Sequence, residues 1–275
     1  MDRRGPQGPL FLLCEIMKLI EITQIDRIGV LTLQNTERLN VMGNALVNEL
    51  IEALDNFARS DIRAVILKTI PGVKVWSAGY DVRELPPHGK DPLECHEPLR
   101  RAVKAMQTCR LPIIVAVEGS VWGGANELVM SGDLVIAAAG TSFALTPSRL
   151  GVPYNPSGIM TFMNTMPLHI LKEMFYRAMP VKAERLETYG VVNHVVPAEQ
   201  LAEFALQLAQ EIALTSPLSN RVFKEQVTSM ISAIPLTSNE FERIEASRRV
   251  VYSSDDYQEG VAAIKEKRAP VFQGR

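Results

Sequence analysis

Apolar residues recur along the N-terminal half of the chain at two spacings, which predict strands and helices in turn. Short apolar runs at residues 20–22 and 28–33, separated by a polar turn, predict a β-hairpin. Residues 42–57 carry apolar side chains at helical spacing, and so do residues 99–109. Compact apolar runs at 64–67, 111–117 and 133–139 are typical of strands buried in a parallel sheet. This alternation predicts an α/β layer arrangement with crossover connections.

The pattern changes to a succession of helices beyond about residue 160, after a predicted loop over 146–157. Helices are predicted at 170–178, 183–189, 198–214, 218–233, 238–252 and 255–268, with a short strand or bulge at 191–196. We therefore expect a core over 17–210 and a C-terminal helical region over 211–275. Residues 1–16 contain two Gly-Pro pairs and an apolar piece too short for a signal peptide, and we expect a disordered extension ahead of a start at Met17.

Composition narrows the classes of function. The formal net charge is −2, and the lysines and arginines are scattered, which argues against a nucleic-acid-binding surface and favours a small ligand. No apolar run reaches the roughly 18 residues of a membrane span, so no membrane association is expected. The three cysteines show no metal-ligand spacing, which predicts free thiols, a reducing cytoplasmic location and no metal site.

Residues 117–130 are the strongest candidate for a functional site in the sequence. An apolar strand enters a turn with the pair Gly123-Gly124, and a helix is predicted to begin at Gly124. Amides at a helix start can bind an oxygen that becomes negative during a reaction. Residues 75–82 provide a second possible source of amides. The purely structural alternatives are that the glycine pair marks a turn and that Asp81 caps a short helix.

Several motifs occur together in a fixed order. They are Leu39-Asn40-Val41-Met42, Ser77-Ala78-Gly79-Tyr80-Asp81, Val117-Glu118-Gly119 followed by Trp122-Gly123-Gly124-Ala125-Asn126-Glu127, Leu150-Gly151-Val152-Pro153, and Glu259-Gly260. On these motifs the chain resembles the crotonase (enoyl-CoA hydratase/isomerase) superfamily. The resemblance implies an α/β spiral of ββα turns and a C-terminal helical region for trimerisation. It also implies an acyl-CoA thioester substrate, a homo-oligomer (a trimer or a dimer of trimers), and no cofactor apart from the CoA of the substrate.

The resemblance further implies that the backbone amides of Tyr80 and Gly124 bind the thioester oxygen, so that a small, flexible residue is wanted at Gly124. Glu127 matches a catalytic carboxylate of the hydratases, but the second carboxylate of that pair falls at Pro147. Hydration needs both carboxylates, so Pro147 argues against it. Glu127 is equally well explained as an acid in the first turn of a helix.

The decarboxylase branch of the superfamily, which acts on methylmalonyl-CoA, matches further motifs: Thr146-Pro147, Tyr154-Asn155 and Asp256-Tyr257-Gln258. The resemblance implies that Tyr154 orients the carboxylate that leaves. A neutral hydroxyl suits this task, because a cation would stabilise the ground-state carboxylate. Tyr154 could instead be a packed loop aromatic. One departure is Tyr80, where the decarboxylase pattern has histidine, and it bears on substrate range.

Further substrate and CoA contacts are implied for Arg38, Val41, Ala78, Asp81, Trp122, Gly123, Thr146 and Lys267. Arg38 and Lys267 would reach CoA phosphates, although Arg38 could be an ordinary solvated charge, and Thr146 could simply close a turn. The expected function is decarboxylation of a malonyl-type thioester, methylmalonyl-CoA to propionyl-CoA. The alternatives are an enoyl-CoA hydratase/isomerase and a non-catalytic acyl-CoA-binding protein.

Overall fold

The computed structural model describes residues 18–85, 90–91, 93–231 and 237–275. The predicted extension at 1–16 lies outside the described residues. The elements are β1 (Ile20–Ile25), β2 (Ile28–Leu33), α1 (Asn44–Arg59), β3 (Ala64–Thr69), β4 (Val75–Ser77), α2 (Pro98–Thr108), β5 (Ile113–Val117), β6 (Ser120–Trp122), α3 (Ala125–Met130), β7 (Leu134–Ala138), β8 (Ser142–Ala144), α4 (Pro156–Thr165), α5 (Leu168–Arg177), β9 (Val181–Lys182), α6 (Ala183–Thr188), β10 (His194–Val196), α7 (Leu201–Leu214), α8 (Pro217–Ile231), α9 (Ser238–Tyr252) and α10 (Asp255–Lys265).

The strands form two sheets, and the chain passes repeatedly from one to the other. The larger sheet has the order β1-β2-β3-β5-β7-β10, and the smaller has the order β4-β6-β8-β9. Each of the pairs β3–β4, β5–β6 and β7–β8 therefore contributes one strand to each sheet. Within both sheets these strands are parallel to their counterparts from the next pair. Stacking of such units is the predicted spiral.

Both faces of the larger sheet are covered at its inner strands β2, β3, β5 and β7, which explains why these strands are nearly continuous apolar runs. Val30, Ile66 and Ile114 lie in register across β2, β3 and β5. They are buried in a cluster that includes Leu201 and Ala205 of α7. The opposite face contributes to the main core together with buried residues of α1, α2 and α3. Residues hidden from water on both sides show no polar alternation.

The hydrophobic pattern predicted the strands of the larger sheet and the helices other than α4, but not the short strands of the smaller sheet. The hairpin β1–β2 pairs antiparallel as expected. The predicted loop over 146–157 contains a 3₁₀ turn at Pro147–Leu150, and α4 begins at Pro156. Asn155 caps α4 by accepting a hydrogen bond from the Gly158 amide, so the cap followed by proline was the signal available. The glycine-bearing turn contains the short strand β6.

The C-terminal helices differ in how they contact the core. The predicted division at residue 210 falls within α7, which is continuous and lies on the larger sheet. Helix α8 has no buried residue, whereas Tyr252 of α9 and Tyr257 of α10 are buried in the main core. None of the helices in the described parts of the chain combines the length and apolarity that a membrane crossing requires.

Candidate functional site

Two peptide units that follow neighbouring strands of the smaller sheet lie close to each other. One joins Gly79 to Tyr80 after β4, and the other joins Gly123 to Gly124 after β6. Gly79 has φ +89° and Gly123 has φ +52°, in the left-handed region that favours glycine. A Cβ on Gly79 would lie 2.5 Å from the Trp122 carbonyl oxygen and 3.1 Å from the Gly124 nitrogen. Only glycine at position 79 permits this approach.

The carbonyl of each peptide unit is occupied by a hydrogen bond. The Met42 amide donates to the Gly79 carbonyl at 2.8 Å, and the Asn126 amide donates to the Gly123 carbonyl at 3.1 Å. The N–H and C=O of a trans peptide point in opposite directions. The N–H groups of Tyr80 and Gly124 are therefore directed away from Met42 and Asn126. Two such donors side by side are suited to binding a developing oxyanion.

Gly124 is glycine for a steric reason and not for its backbone conformation. Its φ of −63° and ψ of −20° are ordinary helical values, so flexibility is not what the position requires. A Cβ there would lie 2.6 Å from Cδ2 of Leu99, which is buried in α2. Gly124 is the residue immediately before α3, as the sequence predicted for a helix start.

Glu127 lies in the first turn of α3 and is completely buried. Its carboxylate forms an ion pair with Arg100 of α2 and accepts a hydrogen bond from the Tyr154 hydroxyl at 2.7 Å. Burial raises the pKa of Glu127, while the Arg100 charge and the Tyr154 hydrogen bond oppose this rise. The interpretation of Glu127 as merely a first-turn acid does not account for these contacts.

Arg100 is a residue of this site that the sequence analysis did not identify. Its side chain is only 12% exposed, and its charge is directed at Glu127. On a helical wheel of α2, Arg100 lies at the edge of the buried face formed by Leu99, Val103 and Met106. This position was the available signal, and it separates Arg100 from Arg101 on the outer side. A basic residue is thus present near Tyr154, but Glu127 neutralises it.

Tyr154 is fixed by its ring as well as by its hydroxyl. The ring contacts Phe162 of α4 and Phe175 of α5, each with centroids 5.6 Å away. Burial, and then the neighbouring Glu127 carboxylate, raise the pKa of the Tyr154 hydroxyl well above its usual range. The hydroxyl therefore stays neutral near pH 7. Pro147, at the start of the 3₁₀ turn, is buried and brings no carboxylate.

The side chain of Tyr80 extends from the backbone towards the start of α2. Its hydroxyl donates to Glu97 Oε2 at 2.8 Å, and burial followed by this carboxylate raises the pKa of Tyr80. The first turn of α2 and the residue before it thus contact three of the predicted catalytic positions. Glu97 contacts Tyr80, Leu99 lies against Gly124, and Arg100 pairs with Glu127.

Asp81 caps a 3₁₀ turn and also binds two arginines. Its buried carboxylate accepts from the Arg83 amide, which is the cap expected from the sequence, and forms ion pairs with Arg38 at 2.6 Å and Arg83 at 2.7 Å. The Arg38 side chain is 47% exposed, so one side of its guanidinium remains open to solvent. Arg38 is anchored at the edge of the site and is not a free surface charge.

The remaining predicted contacts are distributed around the two peptide units. Ala78 donates its amide to the Leu39 carbonyl at 2.9 Å, and Val41 is half-buried next to Met42. Trp122 is also half-buried, and its carbonyl approaches Gly79.

Thr146 and Lys267 lie further along the chain. The Thr146 hydroxyl oxygen lies 3.4 Å from where a Cβ on Gly123 would be, and it makes no capping bond to the 3₁₀ turn that follows it. Thr146 therefore faces the glycine turn. Lys267 is exposed just after α10 with φ +54°, and within the described residues no contact joins it to the site. Nor does any cluster of three or more His, Cys, Asp or Glu side chains in the described ranges have a geometry that could hold a metal ion.

Comparisons with known proteins agree with this geometry. The family model for enoyl-CoA hydratase/isomerase matches residues 23–275. Methylmalonyl-CoA decarboxylase of Escherichia coli K12 is 43% identical, over 93% of this chain and 98% of its own length. Carnitinyl-CoA dehydratase of Salmonella typhi is 32% identical, over 82% and 87% of the two chains. A solved structure of methylmalonyl-CoA decarboxylase in complex with 2-nitronate-propionyl-CoA superimposes with a TM-score of 0.92 at 43% identity, covering 94% of this chain and 99% of the other. The chain belongs to the enoyl-CoA hydratase/isomerase family and has the crotonase fold.

Proposed function

We propose that the protein decarboxylates methylmalonyl-CoA to propionyl-CoA. The observation that carries the proposal is the hydrogen bond that the Tyr154 hydroxyl donates to buried Glu127, in the first helical turn after Gly124. At position 147, where hydration would need an acid, the chain has proline. The relative that is 43% identical is a methylmalonyl-CoA decarboxylase, and the superimposed complex contains a substituted propionyl-CoA. The reaction as proposed needs no cofactor, because CoA arrives as part of the substrate.

In the proposed reaction, the bond between Cα and the carboxylate carbon breaks and its electron pair moves into the Cα–carbonyl bond. The thioester oxygen becomes negative and accepts hydrogen bonds from the amides of Tyr80 and Gly124. Carbon dioxide leaves, and Cα takes up a proton to give propionyl-CoA. The bond that breaks must stand perpendicular to the thioester plane. In the proposed complex the Tyr154 hydroxyl turns its one hydrogen from Glu127 to the substrate carboxylate and orients it in this way. Glu127, paired with Arg100, holds the hydroxyl in place in the free protein.

Binding of the CoA portion is assigned to the predicted contacts at the edge of the site. Arg38, anchored by Asp81, is a candidate for a phosphate contact, and Lys267 is a second candidate that would act from or on a neighbouring subunit. Val41, Ala78 and Trp122 would contact the thioester end, and Thr146 would face the acyl group. A cytoplasmic location is part of the proposal, supported by the free thiols of Cys95 and Cys109.

The proposed activity is tested by incubating the protein separately with methylmalonyl-CoA and crotonyl-CoA and identifying products by mass spectrometry. We expect propionyl-CoA from the first and no hydration of the second. Tyr154→Phe should lower the rate of propionyl-CoA formation about a hundredfold, because the orienting hydroxyl is lost while the ring contacts with Phe162 and Phe175 remain.

Turnover of crotonyl-CoA alone would contradict decarboxylation and favour a hydratase. Binding of both thioesters without turnover would favour a binding protein. An unchanged rate for Tyr154→Phe would remove Tyr154 from the mechanism, even if the activity itself is present.

We also propose that the protein is a homo-oligomer, a trimer or a dimer of trimers, assembled through its C-terminal helices. Support comes from large apolar side chains on and next to α8 that are mostly exposed: Leu214 87%, Leu218 73%, Phe223 63% and Met230 76%. Such a group of exposed apolar side chains is unusual for a surface that contacts only solvent.

Sedimentation equilibrium should give three or six times the chain mass of 30.5 kDa. Leu218→Glu combined with Met230→Glu should reduce that mass, whereas a monomeric wild-type protein would contradict the proposal.

A further inference from the structure

The side chain of Asn126 is almost completely enclosed beside the peptide unit that joins Gly123 to Gly124. It is 1% exposed, and it belongs to the first turn of α3. Its Nδ2 group donates to the carbonyl of Ala144 at 2.9 Å and to the carbonyl of Gly123 at 3.0 Å, with the Val121 carbonyl at 3.3 Å. A single amide group thus joins β6, the glycine turn and the end of β8.

The other end of this amide is unsatisfied. Asn126 Oδ1 is buried without a hydrogen-bond partner in the described structure. Burial of a polar atom without a partner costs free energy, and leucine would occupy a similar volume without such an atom. Packing therefore does not explain why asparagine stands at position 126. The two donor hydrogens of Nδ2 are what a leucine could not supply.

The Gly123 carbonyl that Nδ2 binds belongs to the same peptide unit as the Gly124 N–H. This peptide unit lies between two glycines, where the backbone has the widest conformational freedom. A hydrogen bond to the carbonyl restricts rotation of the unit, and because the unit is planar and trans it also fixes the direction of the N–H. Together with the Asn126 backbone amide, Nδ2 gives the Gly123 carbonyl two donors from one residue.

We infer that Asn126 is a positioning residue, which orients the Gly124 N–H towards the thioester oxygen by binding the Gly123 carbonyl. The inference rests on the proposed function and assigns to it a residue that does not touch the substrate. A misdirected N–H weakens a bond that matters most when the oxygen is negative. Loss of the Asn126 side chain should therefore affect the enolate more than the bound substrate.

The test compares Asn126→Leu with the wild-type enzyme in kinetics and in binding. We expect kcat for methylmalonyl-CoA to fall about tenfold or more while KM changes less than about threefold. We also expect the affinity for 2-nitronate-propionyl-CoA, which carries negative charge near the reacting carbon, to fall by a larger factor than the affinity for propionyl-CoA. Loss of both affinities in equal proportion, with kcat unchanged, would overturn the inference.

Ser131→Ala provides a matched control at the opposite end of α3, at the residue that follows the helix. Ser131 is also buried, and its hydroxyl donates to the Leu128 carbonyl at 2.6 Å, away from the glycine turn. This variant loses a buried bond to a carbonyl, yet it should keep the wild-type kcat. An equal loss of kcat in Ser131→Ala would indicate that general loosening of α3, and not direction of the amide, accounts for the effect.

Asn126→Asp keeps the inference testable if the leucine variant does not fold. A protonated aspartic acid can donate one hydrogen bond to a carbonyl, whereas the ionised form can donate none. The ratio of kcat in Asn126→Asp to kcat in the wild type should therefore rise as the pH falls. A ratio independent of pH and close to one would overturn the inference. Absence of propionyl-CoA with the wild-type enzyme would instead contradict the proposed function.

Discussion

Gly124→Pro should lower kcat about 10²- to 10³-fold relative to Gly124→Ala, because proline removes the amide hydrogen that is assigned to the thioester oxygen. The backbone of Gly124 suits this comparison, since its φ of −63° is close to the value that a proline ring imposes. The backbone conformation of a residue before proline is restricted, partly because its Cβ clashes with the proline ring. Gly123 has no Cβ and avoids that part of the restriction. Steady-state rates of propionyl-CoA formation are the measurement.

The alanine variant is the control for steric effects. Both substitutions place a Cβ against Leu99 Cδ2, which is the end of a flexible side chain, so any cost of that contact is shared. Both variants should keep a cooperative thermal transition, and Gly124→Ala should retain affinity for propionyl-CoA. In Gly124→Pro the ring Cδ takes the place of the amide hydrogen, so affinity for the thioester should fall as well. If the two variants have the same kcat, the Gly124 amide does not bind the oxyanion, and the proposed mechanism loses one of its two donors.

Arg100→Met should destabilise the protein by about 3–5 kcal/mol near pH 8, because it leaves the Glu127 carboxylate buried without a counter-charge. Glu127 is completely buried, and in the wild-type protein Arg100 opposes the effect of burial on its pKa. The free energy of unfolding from urea titrations is the measurement. Methionine retains much of the length of the arginine side chain, so lost packing is a smaller contribution.

The destabilisation by Arg100→Met should depend on pH in a defined direction. Removing the positive charge raises the folded-state pKa of Glu127 further, so the folded state binds a proton more readily than the unfolded chain. Stability is then fully present below the unfolded pKa of about 4.3 and is lost as the pH rises towards the folded value. The difference in unfolding free energy between wild type and variant should be smaller at pH 5 than at pH 8.

A second substitution separates charge from packing. Arg100→Met combined with Glu127→Gln removes both charges and leaves an oxygen that can still accept from the Tyr154 hydroxyl. This double variant should regain most of the lost stability, since neutral replacement of a buried ion pair is often close to neutral in stability. If it is as unstable as Arg100→Met alone at every pH, the guanidinium contributes through packing and not through its charge.

The parts of the structure that the sequence predicted are those in which local pattern decides the outcome. The buried strands were recognisable because both faces of the larger sheet are covered, and the resemblance brought Tyr80, Gly124 and Tyr154 together as one predicted site. Arg100 could not be assigned a role in the same way. Its partner Glu127 is 27 residues away, and their contact depends on how α2 lies against α3. A helical wheel places Arg100 near the core but does not name its partner.

The same limit applies to Asn126 and Glu97. Neither residue belongs to a pattern that predicts its partner, since the Ala144 carbonyl and the Tyr80 hydroxyl are 18 and 17 residues away along the chain. The reason for glycine at position 124 also could not be inferred from the sequence. It depends on Leu99 of another helix and not on a turn that can be recognised locally.

The amides that are proposed to bind the oxyanion and the side chains that are proposed to select the reaction come from different segments of the chain. Tyr80 follows β4 and Gly124 follows β6, so the separation of their amides depends on the spacing between adjacent strands. Pro147 and Tyr154, to which the proposed mechanism assigns the choice of reaction, come from the next unit, after β8. Substitutions in that later segment can exchange an acid for a proline or introduce a tyrosine without moving the anion-binding amides. In the proposed mechanism, the position of the enolate oxygen is thus set by one part of the chain and the bond that breaks by another.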